Sequence, residues 1–282
     1  MSSRESRAWQ RIICYTLIGV LTGAVVNGAI SPAPAQAQSI LDRLRLLIFP
    51  PTDRGSASNR HRAAGARIRG KCSANNSESG MKDIVALIPK DNIGRTITAN
   101  PTFWFYIPTF WSQASESSIS DKPSQIKTGE FMLLNDRGEA VLKQPITVKL
   151  ADQAGFSRFT LPTDPSLWVS GKSLEVGKRY NWFFSIVCDA NQPATNPTVE
   201  GWVERLEAPA NLKTQLQQVA PANRYTVYVQ NGDWFESITL LAENRQTASE
   251  SWSEVLKELG LTKTVNAPIF VIEPTKSKQL IP

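Results

Sequence analysis

Between Ile84 and Leu206 the chain repeats one pattern: short runs of β-branched and aromatic residues, each closed by a turn signal. The runs are Ile84 to Ile88, Thr102 to Ile107, Glu130 to Leu134, Ile146 to Leu150, Phe156 to Leu161, Arg179 to Cys188 and Val199 to Leu206. Asn100-Pro101, Asp136-Arg137-Gly138, Ser170-Gly171 and Asn196-Pro197 punctuate them. Short strands with regular punctuation and no helical stretch between them predict an antiparallel, immunoglobulin-like β-sandwich over residues 81–208. The clearest strand places Tyr180, Trp182, Phe184 and Ile186 on one face at period two, which assigns that face to the core. Phe183 and Val187 on the opposite face are apolar too, so this strand is expected to be central.

After Pro209 the period changes. Trp252, Val255, Leu256 and Leu259 form an i, i+3, i+4, i+7 stripe ending at Gly260, and Asp233 with Glu236 spells a capping box ahead of Trp234, Phe235, Ile238 and Leu241. Residues 225–234 read two ways. Asn231-Gly232 is a strong hairpin turn, whereas Pro221 suits a first helical turn and favours helix. As helices, residues 209–262 resemble a single tetratricopeptide-type hairpin, carried by Tyr228, Gly232, Trp234, Ser237 and Leu241. Arg224 and Tyr225 depart from that motif, and a single unit must pack on something else. The expected class is therefore mainly β with α, with an extended tail over 263–282.

The N-terminus speaks to compartment. Arg4, Arg7 and Arg11 precede an apolar run from Ile12 to Ile30, and Ala35-Gln36-Ala37 has the form of a cleavage site, so residues 1–37 read as an export signal. The rival is an uncleaved anchor, because the run approaches the ~20 residues of a membrane span. Either way the chain is expected in the periplasm or envelope, or secreted, and membrane contact is expected only through this segment. Next, Ile40, Leu41, Leu44, Leu47 and Ile48 share a helical face that Pro50-Pro51 terminates. Thr52 to Gly80 has almost no large apolar residue and is expected to be a disordered arm.

Charge is uneven. The whole chain carries Lys+Arg 31 against Asp+Glu 25; without Arg4, Arg7, Arg11 and Glu5 the balance is 28 against 24, a net of +4. Much of the excess lies in the arm, where Arg54, Arg60, Arg62, Arg67, Arg69 and Lys71 are opposed only by Asp53. Such a run suits an anionic partner: envelope phosphates, sulfated polysaccharides or acidic headgroups. Export removes nucleic acid from consideration. Of three cysteines, Cys72 and Cys188 remain after cleavage, and a pair in an oxidising compartment is expected to form a disulfide. Closing a loop of that length is worth roughly 4 to 5 kcal/mol in the chain-entropy model. Two free thiols in denatured, non-reduced protein from an oxidising compartment would reject it.

Motifs for chemistry are sparse. His61 is the sole histidine and lies in the arm, so no packed shell orients it as a base. One histidine and two distant cysteines give no zinc spacing, and neither a phosphate loop nor a dinucleotide fingerprint occurs, so no cofactor is expected. Asp189, Glu200 and Glu204 are the carboxylates that general acid/base hydrolysis could use. Trp104, Trp111, Trp182 and Trp202 offer flat rings for sugars, with core packing as the simpler role for Trp182.

Four segments, taken together, resemble a family known as domain of unknown function 928. They are Pro101 to Tyr106, Val176 to Ser185, Cys188-Asp189 and Asn196 to Arg205. The resemblance implies an exported cyanobacterial protein and brings no reaction or catalytic residue. In that family an arginine-and-glycine-rich arm leads to the first cysteine; Arg60 to Cys72 keeps the arginines with fewer glycines. These readings combine into a non-catalytic envelope module whose helical unit contacts another protein. An anionic-polymer or glycan binder acting through the arm and a carboxylate hydrolase are the alternatives.

Overall fold

A computed structural model describes residues 34–51, 72–74, 83–112 and 125–275, with backbone only for 34–39, 72–74 and 111–112. The export segment before Pro34, the arm's charged residues and His61 lie outside them. Among the described residues the chain is mixed α/β, with nine strands in two main sheets, one further strand pair and a few helices.

The larger sheet runs β3 (Ile93–Thr96), β10 (Thr198–Arg205), β9 (Arg179–Ile186), β6 (Thr128–Asn135) and β7 (Ile146–Lys149). The smaller runs β11 (Ile269–Val271), β8 (Gly155–Thr160), β4 (Thr102–Ile107) and β2 (Val85–Ala86). All seven runs read from the sequence are strands. β9 is central, flanked by β10 and β6, and buries Tyr180, Trp182, Phe184 and Ile186. The antiparallel expectation holds for these interior pairs and fails at two edges: β3 lies parallel to β10, and β11 parallel to β8. Each edge strand arrives from a remote part of the chain, so local turn chemistry does not set its direction.

Of the tail expected over 263–282, the described part runs to Thr275; it opens in a 3-10 turn at Thr262–Thr264 and is paired from β11 on. Beyond β11 the Ile272 N–H donates to the Arg158 carbonyl, Pro274 bridges Val148, and the Thr275 N–H donates to the Thr147 carbonyl. It thereby ties the edges of the two sheets. The arm reading also needs correction at three residues, because β1 (Cys72–Ala74) pairs antiparallel with β5 (Phe110–Ser112). An extended backbone partner compensates there for the arm's lack of apolar side chains.

Alternation on β4 builds two cores. Phe103 and Phe105 face the larger sheet: Phe105 stacks on Phe184 at 4.3 Å, and Phe103 meets Phe131 at 4.9 Å and Trp182 at 5.5 Å. Trp104 and Tyr106 face the helices. Trp104 Nε1 donates to Thr239 Oγ1 at 2.9 Å, and Tyr106 packs on Phe156, whose ring meets Trp252 at 5.1 Å. Gly201 on β10 is a close approach, since a Cβ there would lie 2.5 Å from Trp182 Cζ2 and 2.6 Å from Ile88 Cδ1. The missing Cβ leaves room for the ring of Trp182 against the neighbouring strand.

The helices are α1 (Pro34–Ile48), α2 (Leu212–Gln217), α3 (Arg224–Asn231), α4 (Trp234–Glu243) and α5 (Ser249–Glu258). On α1 the buried residues are Leu41, Leu44, Leu47 and Ile48, as the sequence stripe predicts. The stripes of α4 and α5 are buried in full, and Gly260 after α5 is left-handed. At residues 225–234 the helical reading holds. Asn231-Gly232 serves a helix end here: Gly232 is left-handed at φ 83°, its N–H donates to Val229, and the Asp233 N–H donates to Tyr228. That double closure is the Schellman arrangement, and it explains how a hairpin dipeptide comes to sit between two helices.

Candidate functional site

The same closure undoes the capping box. A box needs the Asp233 N–H to donate to the Glu236 side chain, but that N–H already donates to the Tyr228 carbonyl. Asp233 makes no side-chain cap. Glu236 turns instead to the bend after β3, where its Oε1 accepts from Thr96 Oγ1 at 2.5 Å, Ile97 N at 3.2 Å and Thr98 N at 3.3 Å. This single carboxylate oxygen fastens the start of α4 to the larger sheet.

The fastening leaves two acids one helical turn apart, Asp233 buried and Glu236 half-buried. Asp233 is 2% exposed, and its Oδ2 and Glu236 Oε2 are buried with no hydrogen-bond partner among the described residues. Burial, reinforced by the Glu236 charge and opposed by Arg95, pushes the Asp233 carboxyl up to about 7. Burial also raises Glu236, against the pull of its donors on Thr96, Ile97 and Thr98. Arg95 does not neutralise the pair alone, since its Nε bonds Glu204 Oε2 at 3.2 Å.

Beside this pair a pocket of about 240 Å³ opens at the seam between helices and sheet. Tyr228, Phe235, Glu236 and Leu240 line it from the helices, and Asn100 and Thr102 from the sheet side. Burial raises the Tyr228 hydroxyl above its ordinary range, and the neighbouring acids add to this, so it stays a donor at neutral pH. Two of the hydroxyls are already engaged: Thr239 accepts from Trp104, and Thr102 pairs with Thr160. A second depression of about 800 Å³ lies between Lys149 to Gln153 and the paired tail.

The carboxylates expected to carry hydrolysis are not brought together. Glu204 is held by Arg95 and by Arg179 at 3.4 Å. Asp189 shapes its own loop: its Oδ1 accepts from Asn191 N, while Asn196 Oδ1 accepts from the Cys188 and Asp189 N–H groups at 3.0 Å each. Glu200 and Glu204 share the outer face of β10, four residues and ~13 Å apart along the strand at ~3.3 Å per residue. Paired glycosidase carboxylates stand about 5 to 9.5 Å apart. Among the tryptophans, Trp104 and Trp182 are buried in the cores and Trp202 is half-buried on that outer face. The Trp111 side chain is outside the described residues.

Cys188 lies just beyond β9 and is half-buried; Cys72 opens β1, with its side chain outside the described residues. Arg54, Arg60, Arg62, Arg67, Arg69 and Lys71 are outside them as well. Among the described residues no cluster of three or more His, Cys, Asp and Glu is placed to hold a metal. Of the seam residues, Tyr228 entered the sequence reading through the tetratricopeptide-type spacing and Glu236 through the Asp-x-x-Glu spacing, which pointed to a cap, whereas Thr96 had no signal.

The family model described as Domain of Unknown Function (DUF928) matches residues 62–269, which takes in the larger sheet, the smaller sheet up to the first residue of β11, and all the helices from α2 to α5. The chain belongs to this family. No curated protein matches it, and no solved structure does.

Proposed function

We propose that this is an exported, non-catalytic envelope module that holds another protein at the seam between α3, α4 and the segment that joins β3 to β4. The pocket beside Tyr228 and Glu236 carries the reading. At about 240 Å³ it falls below the roughly 300 to 1,000 Å³ of small-molecule sites, and its lining mixes the Tyr228 hydroxyl, Asn100 and three threonines with the apolar walls of Phe235 and Leu240. Such a recess fits one or two anchoring side chains of a partner. Rigid support comes from Trp234 and Phe235, which root the helices in the core.

Two finer assignments belong to the same proposal. The sheets are read as an immunoglobulin-like sandwich, supported by rings of β4 meeting rings of β6 and β9. The α3–α4 pair is read as a tetratricopeptide-like hairpin, supported by Gly232 at the corner and by buried Ser237 and Leu241. The Cys72–Cys188 bridge also stands as a proposal. In its favour are a Cys188 that is not a free thiol and the placement of Cys72 in a paired strand.

Deleting the helices would unfold the cores, so the test uses the pocket rim. Tyr228→Ala and Leu240→Glu proteins should lose partners that the unaltered protein captures from envelope extract, while melting at similar temperatures. Identical captured sets would remove the seam from the contact.

A further inference from the structure

We infer that the C-terminal end of α1 is a membrane-contact face, with Leu46 and Phe49 entering the headgroup boundary of an anionic bilayer. Leu46 is 63% and Phe49 46% exposed; the two lie three residues apart, on α1 and just past its end, while Leu41, Leu44, Leu47 and Ile48 of the helix are buried. Exposed Arg43 sits one turn before Leu46, and Lys90 Nζ stands 6.0 Å from the Phe49 ring centroid. Apolar side chains rimmed by basic ones are the composition of a helix that lies in a lipid interface.

The neighbouring sequence commits the face to lipid. Upstream, the apolar run Ile12 to Ile30 ends four residues before Pro34, where α1 begins. Downstream, Phe49-Pro50-Pro51 leads at once into the stretch holding Arg54, Arg60, Arg62, Arg67, Arg69 and Lys71. The exposed pair is thus bracketed by a segment with affinity for hydrocarbon and one with affinity for anionic headgroups, and stable anchoring generally needs two such signals. The helix itself stays on the protein: no described helix is long and apolar enough to cross a membrane, and α1 packs on α5 with Arg45 Nε 2.8 Å from Glu254 Oε1. The face survives cleavage after Ala37, so it applies to the anchored and the released chain alike. It is independent of the partner seam, which lies on other elements.

The decisive measurement is vesicle flotation of the Pro34–Pro282 chain, one of the two units into which the chain divides. Vesicles of phosphatidylglycerol and phosphatidylcholine in equal parts are compared with phosphatidylcholine alone. The chain should float with the anionic vesicles, and the Leu46→Ser, Phe49→Ser double variant should partition roughly tenfold less at an unchanged melting temperature. Flotation of the double variant equal to wild type would assign binding to the arm's charge alone and overturn the inference. So would absence of flotation, or retention on dextran sulfate that the double variant loses.

Discussion

The seam between the two sheets and the seam between the larger sheet and α4 differ in one material. The first is dry and aromatic, with Phe103, Phe105, Phe131, Phe159, Trp182 and Phe184 in ring contact and all nearly inaccessible. The second also holds a ring, Phe235 against Gly94 and Phe103, but adds Thr96 and two carboxyls with buried oxygens. Ring packing is stabilising at any pH. A buried acid pair is stabilising only while protons relieve it. The comparison teaches that one fold can hold a permanent joint and a conditional one, and the conditional joint borders the pocket.

Breaking the aromatic seam should have the largest effect. Phe105→Ala removes a ring stacked on Phe184, and chemical denaturation should show a loss of about 3 to 5 kcal/mol. An intermediate effect is expected at the polar seam from Thr96→Val, which keeps the shape and removes a donor to Glu236 Oε1. The same measurement should show a loss of about 1 to 3 kcal/mol, together with faster hydrogen exchange at Ile97 and Thr98.

Asp233→Asn should have the smallest effect at low pH and the most informative pH dependence. The Asp233 carboxyl titrates near 3.8 when unfolded and about 7 when folded, so the folded chain holds an additional proton in between. Wild-type stability should therefore fall as pH rises from about 4 to 7 and level off above. In Asp233→Asn that slope should flatten. A slope unchanged by the substitution would place the titration elsewhere and dissolve the distinction between the seams.

Legibility in the sequence followed the locality of the signal. β9 announces its core face by strict alternation, and the stripe of α5 is complete within two turns. β3, with only Ile93–Thr96, and β11, with Ile269–Val271, carry too few residues for a period and exist because remote strands offer them an edge. The capping box failed for a different reason. Two motifs overlapped on one N–H group, and the closure of α3 took it.

Alternation and helical stripes, which depend only on neighbours along the chain, determined from the sequence alone that this protein has a β-rich body followed by helices. Which edges pair in parallel, that the tail ties the sheets, and that Glu236 reaches across to Thr96 were decided only by the tertiary structure. Each depends on groups brought together from 100 or more positions apart, and a donor goes to whichever acceptor the packed chain puts within reach.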